Sequence, residues 1–233
     1  MSPGSRRQRR PVHHFREELL LDYATGSLPE GETLLVATHL ALCHECRAAA
    51  VDLEAIGGAL LSAIEPVEVA PDALERVLAR LATGEPAADG AARAAGEPRA
   101  GDGLPRPLYA YLGGGSADLL DKLAWQRLAE GIEQVMLRPL WSPSGAASPP
   151  ADWPAGVQVS LVRLAPGAAA PRHTHLGIEA TVIVQGGFDD GFGCYERGDA
   201  WIVDGSVDHL PVALPGEPCL CLVYQDAPLK LTG

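Results

Sequence analysis

The spacing of apolar residues changes once along the chain, from a helical period to a strand-like period. Residues 15–83 predict four short helices, and the fourth places Leu74, Val77, Leu78 and Leu81 at positions i, i+3, i+4 and i+7. From residue 124 onward, short apolar runs alternate with Gly, Pro and Asp turns, which favours strands. We therefore predict a multidomain α + β protein, in which a small helical bundle precedes an all-β barrel or sandwich.

The predicted helices have recognisable ends and faces. The first lies in the segment FREELLLDYATG and stops near Gly26, and the Ser27–Glu30 spacing predicts a capping box at the start of the second. We expect the third helix to begin around Cys46. The second helix carries Leu35, His39 and Leu42 along one face. The third helix carries Leu53, Ile56, Leu60 and Ile64. Because four short helices bury little area, a covalent or metal staple would help this bundle to fold.

Two segments without apolar periodicity divide the chain. Residues 1–10 form a basic arm that we expect to be flexible, and residues 84–107 are rich in Gly, Ala, Pro and charge, as linkers are. The predicted folded parts are therefore residues 11–83 and residues 108–233. We expect few contacts between the two parts.

Charge narrows the possible partners. The chain has a net charge of −12, with 18 Lys and Arg against 30 Asp and Glu. Residues 11–83 hold four Arg and twelve Asp or Glu, a net charge of −8, so this part should repel phosphates rather than bind DNA as a zinc finger does. An acidic bundle suits a basic protein partner.

Hydropathy and the N-terminus predict where the protein acts. No stretch approaches 18 unbroken apolar residues, so we expect no membrane span. The first residues lack the apolar core of a secretory signal, so we expect a cytoplasmic protein with reduced thiols. There a close pair of cysteines more often binds a metal than forms a disulfide.

The segment HLALCHEC is the first candidate metal site. His39, Cys43 and Cys46 have the spacing H-x3-C-x2-C, which is typical of a structural zinc site. His14 or its neighbour His13 is the candidate fourth ligand, whereas we expect His44 to be solvated. The alternative is that these residues are small buried side chains without a metal.

The second candidate site lies in the predicted β part. His173, His175 and Glu179 have odd numbers, so on one extended strand they would face the same way, and His209 can complete the set. Three His and one carboxylate suit Zn, Fe, Mn, Ni or Cu; the alternative is a set of solvated loop histidines.

The three remaining cysteines show weaker patterns. Cys219 and Cys221 share a strand face, which fits disulfide geometry poorly, and apolar filling is as plausible as a redox or metal role. We expect Cys194 to have no role.

The motifs resemble two known families. Residues 167–186 match the first cupin motif, G-x5-H-x-H-x3-E-x6-G, at every defined position, and Gly198 and His209 fit the second. The second motif has Asp204, Ser206 and Ala213 where cupins have Pro, Gly and Asn. Residues 14–46 resemble the zinc-binding domain of anti-sigma factors, with the spacing H-x24-H-x3-C-x2-C. The order of the two halves resembles ChrR-like anti-sigma factors.

The resemblance implies a function. In that family the zinc-binding bundle holds a group IV (extracytoplasmic-function type) sigma factor away from RNA polymerase, and the cupin-like jelly-roll barrel is associated with the response to oxidative stress, including singlet oxygen. It implies Zn²⁺ ligation by His14, His39, Cys43 and Cys46, and Zn²⁺ or another divalent transition metal on His173, His175, Glu179 and His209.

Two points stay open at this stage. The apolar stripe Leu74, Val77, Leu78 and Leu81 either binds the sigma factor or packs in the bundle. The alternative function is a metal-dependent cupin enzyme, a dioxygenase or an isomerase, with an attached zinc module. That alternative needs an open coordination position and a pocket beside the metal.

Overall fold

The structure is a computed structural model that describes residues 10–83, 103–114, 118–140 and 152–233. The predicted basic arm, except Arg10, and the predicted linker up to residue 102 lie outside the described residues. The helices are α1 (Glu17–Ala24), α2 (Glu30–Leu42), α3 (His44–Ser62), α4 (Ala73–Thr83), α5 (Leu108–Leu112) and α6 (Leu119–Lys122). The strands are β1 (Gln126–Ala129), β2 (Ile132–Met136), β3 (Gln158–Leu164), β4 (His173–His175), β5 (Glu179–Gln185), β6 (Gly187–Asp189), β7 (Cys194–Glu196), β8 (Ala200–Val203), β9 (Val212–Ala213), β10 (Cys219–Gln225) and β11 (Leu229–Leu231).

The strands pair antiparallel in three sheets, which confirms the predicted order of a helical part followed by a β part. The largest sheet has the order β1-β2-β3-β10-β5-β8, and the smaller sheets are β7-β6-β9 and β11-β4. All the described strands lie after residue 124, in the region whose short apolar runs and turns predict strands.

The central strands β5 and β10 are buried on both faces, which explains why their sequences, EATVIVQ and CLCLVYQ, are nearly continuous apolar runs. On β10, Leu222 belongs to a core that the helices share, whereas Cys221 belongs to a second core inside the barrel. Alternation along β5 likewise separates Val182, on the helix side, from Ile183 on the barrel side.

Helix α2 is buried on nearly every side because α1 and α3 cover one face and the large sheet covers another. Gly31 lies where this helix meets the sheet: a Cβ at this position would come within 3.0 Å of side-chain atoms of Val159 and Tyr224. Glycine therefore permits the close approach of α2 to the sheet.

The helical part and the barrel share one hydrophobic core. Phe15, Leu35 and Leu40 belong to the same buried cluster as Val159 and Leu222 of the sheet. The expectation that few contacts connect the two parts is therefore wrong. The apolar pattern of α2 does not reveal its partner, because a helix buried by a sheet and a helix buried by other helices show similar periodicity.

The predicted capping box is also wrong. The residue that precedes α2 is Pro29, and no side chain caps this end. The Ser27 hydroxyl instead donates to the carbonyl oxygen of Asp22, and Glu30 accepts hydrogen bonds from Tyr111 and from the backbone of Leu140. Helix α3 begins slightly earlier than expected, at His44, because the Sγ atom of Cys43 accepts a hydrogen bond from the Cys46 N–H and caps the helix.

The far end of the helical part is uncovered among the described residues. Leu53 packs against the shared core, whereas Ile56 and Leu60 of α3 and Ile64 beyond its end, which belong to the same predicted helix, are exposed. No single described helix is long and apolar enough to cross a membrane. Helices α2 and α3 meet those limits only when they are taken together, across a bend of 118°.

Two candidate metal centres

The first candidate site joins the three helices α1, α2 and α3. His14, His39, Cys43 and Cys46 each offer a ligand atom, and these atoms all lie within 4.8 Å of one another. His14 precedes α1, His39 lies in the last turn of α2, and the two cysteines flank the start of α3. The structure therefore brings together the four residues that the sequence motif marked.

A hydrogen bond orients the His39 ring so that its Nε2 atom is available to bind a cation. Its Nδ1 lies 2.9 Å from the carbonyl oxygen of Gly198 and therefore donates to it, which leaves Nε2 without a proton. This Nε2 atom is buried and has no hydrogen-bond partner among the described residues. A buried imidazole lone pair beside two thiols fits a soft divalent metal such as zinc.

The distances around His14 support the same conclusion. His14 Nδ1 lies 3.4 Å from Sγ of both Cys43 and Cys46. Burial, and then the neighbouring Cys43, raise the pKa of the Cys46 thiol to about 12, and burial lowers the pKa of His39 to about 4. Without a metal, the site thus holds a neutral imidazole and a protonated Cys46, so metal binding would displace a thiol proton.

His13 and His44 lie outside this group. The His13 ring packs against Tyr195 of the barrel, with 4.6 Å between ring centroids, and His44 is exposed. The geometry thus favours His14 over its neighbour as the fourth ligand.

The second candidate site is buried in the barrel. His173, His175, Glu179 and His209 offer ligand atoms within 4.8 Å of one another. His209 Nε2 lies 3.0 Å from Nε2 of His173 and 3.3 Å from Nε2 of His175. The three imidazoles therefore meet at their Nε2 atoms.

The Nδ1 atoms of His173 and His209 face away from the centre of the site. Their hydrogen-bond partners indicate that the Nε2 atoms, which face the centre, carry lone pairs. His173 Nδ1 lies 2.7 Å from the carbonyl oxygen of Pro171, and His209 Nδ1 lies 3.3 Å from a carboxylate oxygen of Asp190, so both Nδ1 atoms donate. Two Nε2 atoms 3.0 Å apart need a proton or a metal ion between them, because two facing lone pairs repel each other. These residues therefore fit a divalent transition metal.

Glu179 lies on a different strand from His173 and His175, whereas the sequence pattern predicts all three on one extended strand. It does not continue the strand of His173 and His175, because β4 ends at His175 and Glu179 begins β5 after a turn. Its own strand directs it into the barrel, where Gln225 donates to it at 2.6 Å. Burial raises the pKa of Glu179 to about 7, and a bound cation would favour its ionised form.

Three functional residues were missed by the sequence motifs. Asp190 orients His209, Gln225 orients Glu179, and Asp199 binds the N-terminal segment. Asp190 lies in the Asp-Asp-Gly turn before β7, a turn signal that carries no information about a metal. No sequence pattern near Gln225 or Asp199 predicts these roles, because Glu179 and the N-terminal segment lie far away from them in sequence.

The remaining cysteines show no bridge. Cys219 and Cys221 are buried with free thiols, and their Sγ atoms are 3.4 Å apart in the barrel core. Cys194 is half-buried on β7. Two buried neighbours in an apolar core are what the filler interpretation predicts.

A chain of ring contacts connects the two sites. The His13 ring, next to His14 in sequence, contacts Tyr195; Tyr195 contacts Trp201 at 5.1 Å, and Trp201 contacts His209 at 5.0 Å between centroids. These ring contacts form a continuous packed path from His209 in the barrel to the segment that precedes α1.

Comparison with known proteins places these features in one family. Residues 119–228 match the family model described as the ChrR cupin-like domain. The chain is 37% identical over 221 residues to the anti-sigma-E factor ChrR of Cereibacter sphaeroides, covering 95% of this chain and 92% of that protein.

A solved structure agrees with this match. It is the crystal structure of Rhodobacter sphaeroides SigE in complex with the anti-sigma ChrR, with a TM-score of 0.70, 34% identity, and coverage of 92% of this chain and 99% of the matched chain. The helical part and the cupin-like barrel each hold a group of residues that could bind a metal. A relative matches the chain across both parts. This chain therefore belongs to the ChrR family of anti-sigma factors.

Proposed function

We propose that this protein binds and inhibits a group IV (extracytoplasmic-function type) sigma factor in the cytoplasm, and releases it under oxidative stress such as singlet oxygen. It acts by binding and not by catalysis, and it does not bind DNA directly. The helical part, residues 11–83, holds the sigma factor, and the cupin-like part, residues 108–233, controls release. Residues 1–10 serve as an arm and residues 84–102 as a linker, whereas Leu104, at the end of the predicted linker 84–107, packs in the shared core.

The observation that carries this proposal is an uncovered apolar surface on α3 and α4. Helix α3 has 19 residues and α1 has 8, so at 1.5 Å per residue α3 extends about 16 Å further than α1. The exposed side chains beyond the bundle include Ile56, Leu60, Leu74, Val77, Leu78 and Leu81, between 54% and 73% exposed. We call residues 54–83 the distal arm.

An apolar surface of this kind marks a protein-binding site. The four residues of α4 lie on one helical face, which suits a helix-in-groove contact with the partner. The alternative is that these four residues of α4 pack in the core of the bundle. Their exposure in the described part of the chain argues against that alternative.

Charge supports a sigma factor as that partner. The distal arm holds five Asp or Glu and two Arg, and the helical part as a whole carries −8. Sigma factors bind DNA and therefore present basic surfaces. Complementary charge would speed association and align the partner on the apolar face.

The metals have separate roles in this proposal. Zn²⁺ on His14, His39, Cys43 and Cys46 fixes α1, α2 and α3 together, so that the distal arm extends from a rigid base. Zn²⁺ or another divalent metal on His173, His175, Glu179 and His209 enables the barrel to change conformation under stress, so that loss of this metal abolishes release but not the basal binding of the sigma factor. A signal releases the sigma factor only if it favours one of two conformations of this protein, and if the two conformations differ in their affinity for the sigma factor.

Reconstituted transcription tests the proposal. The full chain is mixed with group IV sigma factors from its own genome, the mass of the complex is measured, and transcription by RNA polymerase is followed. We expect a 1:1 complex with one sigma factor and loss of its transcription. Leu78→Glu should weaken binding at least tenfold, whereas Phe192→Glu, at an apolar barrel residue that is 71% exposed against 56% for Leu78, should not. Unchanged binding by Leu78→Glu would contradict the proposed surface.

The enzyme alternative has one observation in its favour, a cavity beside the second metal set. It would be supported by metal-dependent turnover of a small substrate in a preparation that does not bind any sigma factor.

A further inference from the structure

The barrel encloses a cavity that the anti-sigma function does not use. Its volume is about 330 Å³, within the range of pockets that hold small molecules. Most of its wall is apolar, with Val162, Phe188, Trp201 and Val223 among the lining residues. The space is therefore suited to an apolar molecular body rather than to a sugar or a nucleotide.

The polar end of this cavity is the second metal set. His173, Glu179 and His209 line the cavity, whereas His175 is not among its lining residues. A metal held by these four residues would have His175 behind it and the cavity in front of it. Any coordination position that the protein leaves open therefore faces the cavity, within reach of an oxygen donor from a ligand.

The charge of the lining selects the ligand's head group. Among the residues that the structure describes, no Lys or Arg lines the cavity, and Glu179 is the one acidic residue in its lining. A divalent metal with an ionised Glu179 leaves at most one net positive charge at the cavity wall, because the buried Asp190 carboxylate beside His209 offsets part of it, so the ligand should carry no more than a single negative charge. A phosphate or a dicarboxylate would leave excess negative charge without a partner.

The cavity also has an apolar entrance. Leu128 and Leu231 line it and are 54% and 65% exposed, so they lie where it opens to solvent. Exposed leucines on β1 and β11 offer an apolar path for an alkyl or aryl chain.

We propose that this cavity binds a small monocarboxylate with an apolar body, whose carboxylate oxygen coordinates the barrel metal while its chain lies along the apolar wall. The inference rests on the metal site of the proposed function but not on sigma binding. Failure of sigma binding would leave it untouched.

A chain-length series on the zinc-loaded full chain tests it without any mutation. Acetate, butyrate, hexanoate and octanoate are titrated by calorimetry, with 1-octanol as the control that lacks the charge. We expect one site and an affinity that rises about fourfold per added CH₂ group, with 1-octanol at least tenfold weaker than octanoate. Equal affinities along the series, or 1-octanol binding as tightly as octanoate, would overturn the proposal.

Zinc content separates the possible failures. A wild-type chain without barrel zinc would contradict the metal site itself and this proposal with it. A chain with two zinc ions and no octanoate binding would overturn the carboxylate site alone.

Two filling variants locate the ligand. Val162→Phe and Val223→Phe add volume to the cavity wall without replacing a metal-binding side chain, and Val212→Phe on β9, outside the lining, is the matched control. We expect each filling variant that retains two zinc ions to bind octanoate at least tenfold more weakly, with wild-type binding in the control. Wild-type octanoate binding in a zinc-replete filling variant would show that the ligand lies elsewhere.

Discussion

The Nδ1 atom of His39 donates a 2.9 Å hydrogen bond to the carbonyl oxygen of Gly198. A candidate ligand of the helical metal site is thus oriented by a loop of the barrel. Gly198 has φ +94°, and a Cβ there would lie 2.6 Å from a side-chain atom of Pro11, so glycine is required for this approach. The two metal-capable sites therefore belong to one packed structure.

Asp199, the next residue, anchors the N-terminal segment. Its Oδ1 accepts the N–H groups of Val12 and His13, and its Oδ2 accepts the N–H of Glu196. Asp199→Ala leaves these donors without their partner. We expect a loss of about 3 kcal/mol in the free energy of unfolding, measured in urea, together with weaker zinc binding at the helical site. The exposed Asp189, replaced by Ala, is the control, and an equal loss in both variants would argue against a specific anchor.

The helical metal site should behave as a structural staple. Cys43→Ala or Cys46→Ala should each remove one zinc ion per chain and reduce the helical circular dichroism, because zinc binding contributes to folding. His44→Ala, between the two cysteines but exposed, should retain full zinc content. Native helicity and two metals in both cysteine variants would exclude this role.

Single substitutions distinguish His14 from His13. We expect His14→Ala to lose the helical zinc, because its Nδ1 lies 3.4 Å from both thiols. His13→Ala should retain zinc and lose only its packing on Tyr195. Metal content per chain is the measurement, and the reverse pattern would make His13 the ligand.

Asp190 should tune the barrel metal through His209. Asp190→Asn replaces an acceptor with an amide that can donate to Nδ1, which favours the His209 tautomer protonated at Nε2. We expect the barrel metal to bind about 10- to 100-fold more weakly, while the helical zinc is unaffected. Competition with a chelator measures this. Asp208→Asn, which removes an exposed ion pair with Arg172, serves as control and should bind metal normally.

The sequence predicts both metal sets because metal ligands obey short spacing rules. His39, Cys43 and Cys46 lie within eight residues, and His173 and His175 lie on one short strand, so local geometry fixes their relative placement. The double-sided burial of β5 and β10 is likewise visible as continuous apolar runs.

Long-range packing accounts for what the sequence pattern does not predict. The face of α2 that meets the sheet looks like any buried helical face, and Gly198 and Asp199 gain their roles only from residues more than 150 positions away. The Ser27–Glu30 motif fails as a capping box because tertiary contacts recruit Glu30 to Tyr111 and Leu140. The parity rule places His173 and His175 correctly, but it cannot anticipate the turn before Glu179.

The division of labour between the two sites is the central claim, and a reporter from the sigma-dependent promoter tests it most directly. Transcription is measured in cells with the wild-type chain, Cys46→Ala or His173→Ala, in the dark and under light with a photosensitiser, with protein levels checked by immunoblot. We predict induction by light for the wild type, constant high transcription for Cys46→Ala, and constant low transcription for His173→Ala. Repression in the dark by Cys46→Ala, or normal induction by light in His173→Ala, would contradict the claim.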